Sequence, residues 1–143
     1  MITTTLAPLV AGFAAGGVLI LLSHLAFRVG AGSGLREIDQ LHFFGRTFSR
    51  RESRIVGILI HLILYGLAGS AFGILVQFGM LAHTVLDLTE YLLILTLVFG
   101  GVILPLEGHG LFGLEEDPWF PVDLLIANAI WVILFEAILR LMV

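Results

Sequence analysis

Cysteine and lysine are both missing from this chain of 143 residues. Without cysteine there is no disulfide, no thiolate metal site and no sulfur nucleophile. Without lysine, all seven basic residues are arginines, set against eleven acidic ones for a formal charge of −4. That balance does not suit a nucleic-acid partner, and none is expected. Charge of either sign is scarce: Asp, Glu, Lys and Arg make up 13% of the chain, where a soluble domain carries about a quarter. No phosphate loop, zinc-binding helix motif or nucleophile elbow occurs. Ser23 and His24 are neighbours in sequence, so on a helix they point about 100° apart and make no nucleophile–base pair. The chain is therefore read as non-enzymatic. No arginine precedes the first apolar run, which lacks the basic start of a cleaved signal and is expected to remain as a span.

What is plentiful is apolar surface. Hydrophobic residues make up 59% of the chain and the mean hydropathy is +1.08. A helix needs about 20 apolar residues to cross the hydrocarbon. Four stretches meet that length: Leu6–Phe27, Ile55–Gln77, Val85–Leu106 and Pro121–Val143. In lipid every backbone polar group must be satisfied within its own segment, so these are expected to be helices. The fold class that follows is all-α: one transmembrane domain of four helices in a compact bundle.

Local signals agree with those limits. Ser49-Arg-Arg-Glu52 has the spacing of a capping box, and Thr84-Val-Leu-Asp87 is a weaker version ahead of the third span. Pro121 suits the first turn of the fourth helix, and Pro105 should end the third. The short turn from Gly79 to His83 predicts that the second and third helices are antiparallel neighbours.

Six arginines, at 28, 36, 46, 50, 51 and 54, fall between the first and second spans. The positive-inside rule puts that loop in the cytoplasm and both termini outside, in a membrane expected to be a prokaryotic plasma membrane. Within the loop, Leu35, Ile38, Leu41, Phe44 and Phe48 recur every three or four residues. The period fits a short interfacial helix; a tethered loop folding its aromatics under the bundle fits the same residues.

Helix contact is the clearest functional signal. Gly12 and Gly16 in the first span, and Gly69 and Gly73 in the second, are small-xxx-small pairs that let backbones approach closely. Packing between helices of the same chain is the default use of such a face; a second copy or a different protein is the alternative. His24 and His61 lie on those small-residue faces, and two facing histidines can hold a b-type haem or a metal. The blander reading is a hydrogen bond from each to a nearby hydroxyl or carbonyl. Toward the other side, Asp87, Glu90 and Glu136 are intramembrane carboxylates suited to an ion or proton site. Against that, Asp87 can cap its own helix and Glu136 can pair with Arg140 four residues on. Asn128 is expected to hydrogen-bond within the bundle.

The segment Pro105-Leu-Glu-Gly-His-Gly-Leu-Phe-Gly113 brings together Glu107 and His109, an acid/base pair or weak cation site. A glycine-rich turn anchored to the interface by Phe112 and Trp119 explains the same residues without chemistry. This segment, with Val56-Gly-Ile-Leu-Ile-His61 and the downstream Gly66, resembles a family of small four-helix prokaryotic membrane proteins known only as a domain of unknown function. The resemblance spans the second to fourth helices and implies the same topology. Such proteins carry a second histidine ahead of an aromatic in the fourth helix, where this chain reads Asn128-Ala-Ile-Trp131.

The function expected from these features is a non-catalytic accessory or structural subunit, needing no cofactor. It would be surrounded by lipid and packed against its own copies or a larger respiratory or photosynthetic complex. One alternative is a haem b electron carrier using His24 and His61. Another is a proton- or cation-coupled transporter using Glu90 and Glu136.

Overall fold

The computed structural model describes residues 2–28, 42–43, 46–47, 49–115 and 117–142. Four long helices account for most of them: α1 (Ile2–Arg28), α2 (Arg50–Gln77), α3 (Val85–Val98) and α4 (Phe120–Met142). Windows on these helices, at Leu6–Leu25, Ile55–Gln77, Val85–Leu106 and Phe120–Met142, are long and apolar enough to cross a membrane. The side chains they turn outward are large and apolar, Leu21, Leu67, Leu97 and Ile133 among them, as a lipid-facing surface requires.

The helix ends follow from sequence. The Ser49 hydroxyl accepts from the Glu52 amide, and the Glu52 carboxylate accepts from the Ser49 amide, completing the capping box that starts α2. Thr84 caps α3 by accepting from the Asp87 amide. At the far end of α3 the helix widens before it stops. Phe99–Ile103 form a π-helical turn in which the Leu104 amide donates to Phe99 O, and one last turn, Leu104–Leu106, contains Pro105. Proline has no amide to give to an α-helical ladder, so a loosened turn just ahead of it leaves less to lose. The helix then ends in two capping bonds, Gly108 N to Pro105 O at 3.2 Å and His109 N to Leu104 O at 2.9 Å. This is a Schellman cap, and it needs the φ of +87° that Gly108 supplies.

The tightest pairings are α1 with α2, α1 with α4 and α3 with α4. The α1–α2 contact is backbone on backbone. A side-chain carbon on Gly12 would meet Tyr65 O, and one on Gly69 would meet Pro8 O. Gly16 accommodates the Tyr65 ring and Gly73 the Pro8 ring. The glycine rows read in the sequence therefore face each other within one chain. Helices α2 and α3 are antiparallel as expected, but they meet through large side chains rather than at close backbone range. Tyr91 OH donates to Ala68 O across that space, and Trp131, Phe72 and Phe135, all fully buried, fill the core beside it.

The first loop differs from the interfacial-helix expectation where it is described. His42–Phe43 and Arg46–Thr47 pair as a minimal antiparallel ladder, His42 opposite Thr47 and Phe43 opposite Arg46. Aromatic and β-branched residues favour an extended pairing, and two residues between paired strands is the spacing of a tight hairpin. Leu35, Ile38, Leu41, Phe44 and Phe48, which carried the helical period, lie outside the described residues.

Candidate functional site

Because α3 closes in a Schellman cap, the chain turns back under the bundle instead of leaving it. Glu107, the cap residue, is 2% exposed, and His109 is buried beside it. From α2, His61 Nδ1 reaches within 4.0 Å of Glu107 Oε1. The same nitrogen donates a 2.9 Å hydrogen bond to Gly57 O, so its hydrogen is committed to the backbone and Nε2 is the free ring position when His61 is neutral. Neither Glu107 oxygen has a hydrogen-bond partner. Burial holds the Glu107 carboxyl above the ordinary carboxylate range, against the opposing pull of His61 and His109.

The surroundings keep this group dry. The Phe99 ring lies 6.5 Å from His61 and stacks on Tyr65 at 5.4 Å. Phe112, with a φ of +55°, presses its ring onto Gly100 in the π-helical turn. A non-glycine residue in that conformation is strained, and here the ring contact with Gly100 holds it in place. Tyr65 stacks in turn on Trp131 at 5.3 Å, and Trp131 on Phe135 at 5.1 Å.

At the opposite end of the bundle a second acid–histidine group forms. Glu136 Oε2 is 2.9 Å from His83 Nδ1, and Glu136 Oε1 accepts from Arg140 Nε at 2.6 Å. Arg140 Nη2 also reaches His83 O at 3.4 Å, tying the turn between α2 and α3 to α4. Unlike Glu107, Glu136 has both oxygens bonded.

The remaining candidates separate. His24 is exposed, and its Nδ1 bonds Ile20 O at 2.9 Å on its own helix. Among the described residues no hydrogen bond or ion pair joins His24 to His61, and each bonds a carbonyl of its own helix. Asp87 is a capping group, accepting from Thr84 Oγ1 at 2.6 Å and from Ala82 N at 3.1 Å. Glu90 is exposed on α3, and among the described residues no hydrogen bond or ion pair joins it to Glu136. Gly12, Gly16, Gly69 and Gly73 are all spent on the α1–α2 contact. Asn128 is fully buried and donates to Thr96 Oγ1 at 3.2 Å, as expected of a bundle hydrogen-bonder. Among the described residues no three His, Asp or Glu side chains are grouped to hold a metal ion. Sequence reasoning had His61 and Glu107 both in hand but in different pairs; the missing signal was the turn that folds 107–113 inward.

No protein-family model matches the chain, and no curated protein or solved structure matches it. What the site does must be argued from its own chemistry. A carboxyl that is buried, lacks hydrogen-bond donors and lies beside two imidazoles can take up and release a proton.

Proposed function

We propose that this protein is a small, non-enzymatic, proton-coupled membrane carrier whose ionisable centre is Glu107, flanked by His61 and His109. The observation that carries the reading is the burial of Glu107 with both oxygens unbonded. An ionised carboxylate in that position costs several kcal/mol, so a bundle that retains one there has a use for its neutral form. The positive-inside rule supports placing the arginine-rich loop, and with it the Glu107 end, at the cytoplasmic face of a prokaryotic plasma membrane. Glu107 replaces Glu90 and Glu136 as the working carboxylate, because Glu136 is held by His83 and Arg140 and Glu90 faces outward.

The test is proton movement in proteoliposomes carrying an internal pH dye, with a pH gradient imposed across the membrane. Wild type should relax the gradient faster than empty liposomes, and Glu107→Gln should not, while Glu90→Gln keeps the wild-type rate. A wild-type rate equal to that of empty liposomes would sink the carrier.

A second reading, the accessory subunit, has one observation in its favour. Glu90 and Thr89 are exposed on a lipid-facing stretch of α3, where a partner helix would shelter them. Extraction in mild detergent followed by native mass measurement tests it. A lone monomer at every detergent concentration counts against a subunit role.

A further inference from the structure

The two acid–histidine groups at opposite ends of the bundle are separated by rings. Starting from His61, the centroids run to Phe99, Tyr65, Trp131, Phe135, Phe72 and finally His83, and beyond the first step each lies 5.1–5.5 Å from the next. Trp131, Phe135 and Phe72 are fully buried. A proton needs a chain of hydrogen-bonded groups or water to travel, and the polar atoms along this column do not form one. Trp131 Nε1 donates to Gly12 O at 3.3 Å, and Tyr91 OH to Ala68 O. Asn128 and Thr96 bond each other, and Thr96 donates on to Leu92 O within its own helix. None of these bonds reaches Glu107, whose oxygens have no hydrogen-bond partner at all. Toward the arginine-rich loop the situation reverses. On that side the two residues flanking Glu107, Leu106 and Gly108, are both exposed.

We infer that in its resting state Glu107 exchanges its proton only with the side of the membrane that carries the arginine-rich loop, and that the ring column from Phe99 to Phe72 is the gate closing it to the other side. The inference rests on the carrier reading and names its resting state: loaded from the loop side, shut toward the termini. The titratable groups facing Glu107 are His61 and Tyr65 from α2 and His109 from its own turn. His61 and His109 lie at the Glu107 end of the column, and Tyr65 is one of its rings, stacked between Phe99 and Trp131.

A membrane-permeant carbodiimide provides the test, because it reaches both sides and adds only to a neutral carboxyl. Its rate of addition at Glu107, read by mass spectrometry of the full chain, reports the neutral fraction. Inside-out and right-side-out vesicles of the expressing membrane allow the pH to be set separately on each side. Orientation is fixed by an impermeant thiol reagent on Ser33→Cys, the one thiol in an otherwise cysteine-free chain. From a starting pH alkaline enough that labelling is low, acidifying the arginine-loop side by about two pH units should raise labelling by about tenfold or more, since a carboxyl above its pKa gains about tenfold in neutral fraction per unit. Acidifying the other side should change it by less than about twofold on the same scale. Phe135→Ala, by opening the column, should make labelling respond to both sides. A wild-type response to the termini side, or to both sides equally, overturns the inference whether or not the variant folds. Labelling indifferent to pH on both sides, and unchanged in Glu107→Gln, overturns it together with proton binding at Glu107. Sided labelling without any flux would remove the carrier and leave the one-sided access standing.

Discussion

Gly12 and Gly69 are where α1 and α2 touch: a side-chain carbon built on Gly69 would lie 3.0 Å from the Cα of Gly12, with Pro8 O closer still. Backbone cannot give way as a flexible side chain can, so Gly69→Ala should cost about 1–3 kcal/mol, the usual range for overpacking. Gly17 is the internal control, since nothing lies within 4 Å of its added carbon. Gly17→Ala should be neutral or stabilising by roughly 0.5–1 kcal/mol through helix propensity. Thermal unfolding in detergent, comparing the two variants, checks both. Equal melting temperatures would mean that the glycine face is not where the chain holds together.

Glu107 makes stability depend on pH with a definite sign. Its folded-state pKa is raised by burial, so over part of the pH range the folded chain binds a proton that the unfolded chain has lost. The contribution is complete below the ordinary carboxylate pKa and falls away as pH rises through the raised folded value. Wild type should therefore melt at a lower temperature as the pH rises from the ordinary carboxylate range through the raised folded value. Glu107→Gln, neutral at every pH, should lose that slope and become the more stable of the two at the alkaline end. A parallel pair of melting curves across the range would contradict the assignment.

Removing Glu136 should act on structure rather than on proton uptake. Glu136→Ala leaves Arg140 and His83 without their shared acceptor and unties the α2–α3 turn from α4. A loss of about 1–3 kcal/mol is expected for breaking a partly buried charged pair. Carbodiimide labelling at Glu107 should be unchanged. A labelling loss as large as that of Glu107→Gln would show that the two ends are coupled.

Asn128 and Thr96 form the one side-chain hydrogen bond between α3 and α4 among the described residues. A double-mutant cycle with Asn128→Leu and Thr96→Val should give a coupling of roughly 0.5–1.5 kcal/mol, the range found for such bonds in lipid. Zero coupling would mark the pair as incidental to bundle stability.

Haem binding is tested by His24. It points outward and bonds its own helix, so His24→Ala should leave folding, labelling and absorbance as they are in wild type. A Soret band in purified wild type that vanishes in this variant would restore the haem reading.

The spans, the caps at Ser49 and Thr84 and the internal use of the glycine faces were legible because each depends on neighbours in sequence. Apolar length, a hydroxyl three residues before a carboxylate, and a repeat of four all act within a few turns. The grouping of His61 with Glu107 was not legible, because it depends on a change of chain direction after Leu106. Periodicity carries no information through a Schellman turn. The ring column was hidden for a related reason. Tyr65, Phe72, Phe99, Trp131 and Phe135 come from three helices, and no local pattern states which faces meet. In the first loop the described residues His42–Phe43 and Arg46–Thr47 pair as strands, while the residues of the amphipathic repeat lie outside the described ones.

The π-helical turn at Phe99–Ile103 can be viewed as a single-residue insertion in an otherwise regular helix. Each residue of an α-helix advances the direction of its side chain by about 100°. Everything downstream of the bulge, Glu107 included, is therefore rotated by about that much from where an uninterrupted helix would aim it. Deleting Gly101, which has open space around it, would restore the regular ladder and swing the carboxyl away from His61 without changing any residue of the site. The address of this acid is thus written in a spacer several residues upstream, and a length change there would part the carboxyl from His61 with Glu107 itself untouched.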